Sequence, residues 1–255
     1  MSVPQKVAII GGAGKVALHL TQILASKGRI VTSVIRNPEQ ASTIEAAGGK
    51  PVVLSLENAP VDEFEKLFEN MDVVVFAAGS GNEGGPERIR AVSYEGAVKV
   101  FDALEKTVSK PRLLTISAMA VRDTSKDYPA HYDESDKQTD DFTHERLSEY
   151  MKLKYAADKD LVQRTAFKWT IVRPTWFLDE AAPGTGHASI GHAHMKPNVS
   201  RYDVAHVLSL LVDRPDAAGL ALDIAGVAED KRSLLNAIPA SLDAAIRKGE
   251  TDFEV

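Results

Sequence analysis

Three observations predict a doubly wound α/β fold built on a parallel sheet. Short apolar runs rich in Val and Ile recur along the chain, amphipathic segments alternate with them, and a glycine-rich turn joins the first run to the first amphipathic segment. Runs that are apolar on both sides read as strands buried between two helical layers. They lie at Lys6 to Ile10, Ile30 to Ile35, Val52 to Leu56, Val73 to Ala77, Leu113 to Ser117 and Trp169 to Val172. Apolar residues three and four apart in Val16 to Leu24, Phe64 to Phe68 and Ile89 to Leu104 predict the intervening helices. Right-handed crossovers then wind the sheet in both directions. Ligands of such sheets lie beyond the C-terminal strand ends, where the strand order reverses.

The pattern weakens after Pro174. The stretch Asp179 to Asn198, rich in Gly, Ala, His and Pro, reads as a small substrate-side loop region spanning about residues 175 to 200. Ser200 is the expected N-cap of an apolar helix Val204 to Val212. A strand at Leu220 to Ile224 and a helix around Leu234 to Ile246 close the fold. No repeat, low-complexity tract or Pro/Ser-rich linker divides the chain, so residues 1–255 read as one domain.

Composition excludes several classes of function. The 255 residues are 44% apolar, enough for one large core. Lys and Arg total 30 against 36 Asp and Glu, and no basic run is present that would neutralise a phosphate backbone, so nucleic acid is not an expected partner. Absence of cysteine removes disulfides, thiol catalysis and Cys-based zinc sites. The N-terminal apolar stretch Val7 to Gly11 is too short for a signal-peptide core or a membrane span. Cytoplasmic localisation, a small-molecule substrate and a monomer or homodimer are the resulting expectations.

The turn Gly11-Gly12-Ala13-Gly14-Lys15-Val16-Ala17 follows the first strand and opens the first helix. Gly11 permits a tight turn, Gly14 lets a pyrophosphate approach the backbone, and the small Ala17 allows close helix packing. The helix start offers unpaired N–H groups to the anion. This context turns a weak glycine motif into a dinucleotide signature. A reader of NAD ribose hydroxyls would be an Asp or Glu at the end of the second strand, but the sequence there is Val34-Ile35-Arg36-Asn37. A guanidinium at that point pairs with a 2′-phosphate, so NADP(H) is the expected cofactor in preference to NAD(H).

From these residues onward the chain resembles the short-chain dehydrogenase/reductase superfamily, in its atypical, NmrA-like and flavin-reductase-like branch. The resemblance rests on the phosphate turn, Val34-Ile35-Arg36-Asn37-Pro38, Phe76-Ala77-Ala78-Gly79, Thr115-Ile116-Ser117-Ala118, Trp169-Thr170-Ile171-Val172-Arg173-Pro174 and Val199-Ser200-Arg201-Tyr202-Asp203-Val204-Ala205. It implies that Ala77, Ala78 and Gly79 border the cofactor and that Arg173, Pro174 and Thr175 line its nicotinamide end. The third strand of that superfamily usually ends in an adenine-contacting Asp followed by an apolar residue. Here Ser55 stands in the Asp place and Leu56 follows.

The same resemblance implies a Tyr-x-x-x-Lys helix with a Ser from the preceding strand end. Residues four apart share a helix face, so a cationic Lys can lower the Tyr pKa while the hydroxyl passes a proton to a developing alkoxide. Tyr150 and Lys154 fit, with Ser117 as the Ser; Tyr155 with Lys159 is a second match to the spacing. Hydride transfer is then expected, with Tyr150 donating the proton, Lys154 orienting the ribose and Ser117 polarising the acceptor oxygen. A non-catalytic NmrA-like sensor and an NAD-retaining epimerase are the alternatives.

His187, His192 and His194 lie close in sequence, but their spacing matches no helix-borne ligand pair and no metal is assigned to them. The acidic stretch Asp133 to Asp136 with Asp140 and Asp141 reads as a solvated loop ahead of the catalytic helix. Trp176 and Phe177, just past Pro174, are candidates for an apolar substrate wall.

Overall fold

A computed structural model describes residues 4–79, 85–178, 183–232 and 237–249. The strands are β1 (Lys6–Ile10), β2 (Ile30–Ile35), β3 (Lys50–Val53), β4 (Val73–Phe76), β5 (Arg112–Ile116), β6 (Trp169–Pro174), β7 (Ser189–Gly191) and β8 (Ala221–Ala225). They form one sheet in the order β3-β2-β1-β4-β5-β6-β8-β7. All neighbours are parallel except β7 against β8. Winding reverses between β1 and β4, which opens a crevice at their C-terminal ends.

Helices cover both faces: α1 (Lys15–Ser26), α2 (Ala41–Ala46), α3 (Val61–Phe68), α4 (Gly85–Arg90), α5 (Gly96–Lys106), α6 (Glu134–Val162), α7 (Arg201–Leu211) and α8 (Ile238–Lys248). Alternation along each strand divides the core. Val7 and Ile9 of β1 face α1, α7 and α8, where Leu20, Leu208 and Leu242 are buried. Ala8 and Ile10 face α3, α5 and α6, where Phe64, Phe101 and Leu161 are buried. Successive strand residues point to opposite faces, so a run buried on both sides has to be apolar throughout. Among the described residues no helix is long and apolar enough to cross a membrane.

Several expectations need correction. The third strand ends at Val53 rather than Leu56, because its partner β2 ends at Ile35 and leaves nothing for Ser55 and Leu56 to pair with. A π-helical turn, Ala91–Glu95, separates α4 from α5 inside the segment expected to be one helix. The loop region 175–200 contains β7, paired with β8, while residues 179–182 lie outside those described. The last helix begins at Ile238, and residues 233–236 also lie outside those described.

The acidic stretch is not a solvated loop: it forms the first turns of α6. Asp133 caps the helix and exchanges bonds with Asp136 in a capping box, and Glu134 and Asp136 sit where the helix dipole favours negative charge. Asp136 and Asp140 are buried because each has partners. Asp140 pairs with Arg122 at 2.8 Å, and Asp136 accepts the Met195 N–H at 2.7 Å. Ser200 caps α7 as the sequence predicts, its hydroxyl accepting the Asp203 N–H at 2.9 Å.

Candidate dinucleotide and substrate site

The phosphate turn is held by contacts that only glycine tolerates. Gly11 has φ +79, and a Cβ there would lie 2.6 Å from the Ala78 Cα. A Cβ on Gly12 would lie 2.5 Å from the Ser33 Cβ, so this glycine serves the packing of the turn on β2. Gly14 donates its N–H to the Gly11 carbonyl at 2.9 Å and begins α1. Among the described residues no side chain caps that helix, and no acid occupies its first turn. The first-turn residues Lys15, Val16 and Ala17 line a cavity of about 700 Å³. An uncapped helix start presenting N–H groups to a cavity is an anion site.

The cavity runs in two directions from this turn. Toward β2 and β3 it is lined by Arg36, Gln40, Ser55, Leu56, Glu57 and Arg88. Glu57 Oε1 lies 3.8 Å from both Arg36 Nη1 and Arg88 Nε. The Arg88 Nε is buried and has no hydrogen-bond partner among the described residues, although its side chain is partly exposed. Asn37 does not line the cavity; its side chain accepts the Glu39 N–H at 3.0 Å and caps a short 3-10 turn.

Toward β5 and β6 the lining includes Ala77, Ala78 and Gly79, then Ser117, Tyr150, Pro174 and Thr175. Helix α6 is kinked at Leu147, where φ is −125 and ψ 28. Thr143, Leu147, Tyr150 and Met151 all line the cavity around this kink. Trp176 and Phe177 line it as well. The Trp176 indole donates to the Thr143 hydroxyl at 3.0 Å, and the Arg201 guanidinium lies 4.8 Å from the Phe177 ring centre.

Lys154 and Arg173 stand behind this wall rather than in it. The Lys154 ammonium is buried and donates to the Ile116 carbonyl at 2.8 Å. Arg173 is buried and pairs across β6 and β8 with Asp223 at 2.9 Å. The expected lowering of the Tyr150 pKa is absent. Burial pushes this phenol up to about 12, and the nearby Asp158 charge acts in the same direction.

Asp158, which the spacing argument overlooks, occupies the centre of the buried group. It is 2% exposed and shares a short hydrogen bond with the Ser117 hydroxyl. Burial raises its pKa, against the pull of Lys154, the Ser117 bond and Arg173. Burial likewise lowers Lys154, against the pull of Asp158. The available signal was the interval from Lys154 to Asp158, which places both on one helix face.

The three histidines separate. His187 Nδ1 meets the Thr185 carbonyl at 2.9 Å, His192 stacks on His131 at 4.8 Å, and His194 Nδ1 meets Asp136 Oδ2 at 2.6 Å. Asp133, Asp136 and His194 do bring ligand atoms within 4.8 Å of one another. The Asp136 carboxylate is already engaged there by the Asp133 and Met195 N–H groups.

Fold, uncapped glycine turn and crevice define a dinucleotide-binding α/β protein of the Rossmann type. A family model described as NAD(P)H-binding matches residues 11–215, and the chain belongs to that family. A UPF0659 protein of Schizosaccharomyces pombe is 38% identical over 85% of this chain and 87% of its own length. A Bacillus subtilis protein named uncharacterized sugar epimerase YhfK is 28% identical over 86% of this chain and 93% of its own. Among solved structures, the oxidoreductase ylbE of Lactococcus lactis superposes with a TM-score of 0.77 at 21% identity, covering 98% of this chain and 100% of that one. The fold and the family therefore agree with the resemblance read from the sequence, and a nicotinamide dinucleotide is the cofactor class.

Proposed function

We propose that this protein is an NADP(H)-dependent oxidoreductase of the atypical short-chain type, transferring a hydride to a small carbonyl, quinone or flavin-like acceptor. One observation carries the reading: the uncapped start of α1 and the Ser117 and Tyr150 side chains line the same cavity. A dinucleotide whose pyrophosphate sits on the helix start can reach both ends of that space. Arg36 and Arg88 support the 2′-phosphate, since two guanidinium groups outnumber the Glu57 carboxylate between them. Met119, Met151, Met195, Trp176 and Phe177 supply a wall suited to a flat apolar acceptor. Ser117 and Tyr150 face the acceptor, and Lys154 acts from behind through the end of β5.

The test is oxidation of NADPH by purified protein with a panel of quinones, flavins, aldehydes and ketones. Turnover with at least one acceptor, lowered in both Ser117→Ala and Tyr150→Phe, is expected. A second reading, a sensor that binds cofactor without turnover, draws on the raised Tyr150 pKa and on the orientation of Lys154. Cofactor binding without any NADPH oxidation would favour it. Tightly co-purified NAD would instead favour an epimerase, the activity named for the Bacillus subtilis relative.

A further inference from the structure

Resting on the reductase reading above, we propose that Asp158 is the proton source of the site, acting through the Ser117 hydroxyl. Ser117 lines the cavity on one side and bonds Asp158 on the other. Asp158 and Lys154 are 2% and 3% exposed, so neither exchanges protons directly with bulk water. Among the described residues four groups face the carboxyl: Lys154 and Tyr150 from its own helix, Ser117 from the end of β5, and Arg173 from β6.

The position of one proton decides what Ser117 offers the cavity. With Asp158 ionised, the Ser117 proton points into the carboxylate, and only oxygen lone pairs face the acceptor. Such a hydroxyl repels a developing oxyanion. With Asp158 protonated, its O–H donates to Ser117 Oγ, and the Ser117 O–H turns toward the acceptor oxygen. Burial makes this second arrangement accessible, because it raises Asp158 and lowers Lys154.

The step then balances. A bound reduced nicotinamide would supply the hydride to the acceptor carbon, leaving the carbonyl π pair on oxygen. That oxygen takes the Ser117 proton, and Ser117 takes the Asp158 proton. The products are the alcohol, the oxidised dinucleotide and an Asp158 carboxylate beside Lys154. Solvent entering the cavity after product leaves returns the proton to Asp158 through Ser117. Tyr150, with its pKa pushed up to about 12, keeps its proton and serves as a hydrogen-bond donor to the acceptor oxygen.

The experiment compares wild type with Asp158→Asn, using NADPH and phenanthrenequinone as the probe, and measures kcat/KM against pH. The wild-type profile is expected to fall as pH rises through the Asp158 pKa. Asp158→Asn should lose that limb and about 100-fold in rate, the scale of a lost general acid, while keeping its NADPH affinity. Unchanged rate and limb in Asp158→Asn overturn the proton source alone. A wild type that oxidises NADPH with no acceptor refutes the reductase reading and the proton source together. Infrared difference spectra need neither turnover nor a folded Asp158 variant: the wild type should show a protonated-carboxyl band that shifts in Ser117→Ala. Absence of such a band also overturns the proposal.

Discussion

Replacing Gly11 with alanine tests the phosphate turn against a control that the chain itself provides. Gly11 and Gly28 both have φ in the left-handed region, at +79 and +74. Alanine at either position carries a conformational cost of about 1–2 kcal/mol. At Gly28 no atom of the described residues lies within 4 Å of the new Cβ, so that cost stands alone. At Gly11 the Cβ would lie 2.6 Å and 2.8 Å from the Ala78 Cα and N, backbone atoms that cannot rotate away. Overpacking of this kind adds about 1–3 kcal/mol, for a total of roughly 2–5 kcal/mol. In a protein of this size each kcal/mol lowers the melting temperature by about 2–4 °C. Gly28→Ala should therefore melt a few degrees lower, and Gly11→Ala clearly lower again. Ala78 also lines the cavity, so its displacement should weaken NADPH binding in Gly11→Ala and leave Gly28→Ala at wild-type affinity. Scanning calorimetry without cofactor and fluorescence titration with NADPH read the two effects. Equal melting temperatures and equal affinities in the two variants would refute the reasoning.

Two further predictions concern charge. Arg36→Ala and Arg88→Ala should each weaken NADPH by about tenfold or more, the worth of a charge-assisted hydrogen bond, and leave NADH within about twofold; equal losses for both cofactors would remove the 2′-phosphate reading. The Asp136 bond raises the His194 pKa above its ordinary 6.5. A raised folded value means that the protonated side chain stabilises the fold below about 6.5 and that this contribution is lost as pH rises through the folded pKa. His194→Gln should accordingly melt below wild type at acid pH and converge with it at alkaline pH. A difference that is constant across pH would contradict the ion pair.

What could be read in the sequence follows from distance along the chain. Val7, Ala8, Ile9 and Ile10 betray a doubly buried strand because the signal lies in consecutive side chains. Ser200 betrays its helix because a cap and its acceptor are three residues apart. The glycine turn was legible because its function depends on backbone freedom at fixed offsets. Burial of the acids at the start of α6 was not legible, because Asp140 answers to Arg122 and Asp136 answers to His194 and Met195, far away in sequence. Arg88 was missed for the same reason: it meets Glu57 only once α4 is placed beside the end of β3. Tyr150 and Lys154 have the right spacing. Spacing does not say that the ammonium will choose the Ile116 carbonyl over the phenol, nor that burial, with the Asp158 charge behind it, will push the Tyr150 pKa up.

Calorimetric titration of the purified protein with NADPH and NADH reads the dinucleotide site itself. Saturable one-to-one binding of both is expected, with NADPH tighter by about tenfold or more. No heat with either coenzyme, or NADH bound as tightly as NADPH, would contradict it.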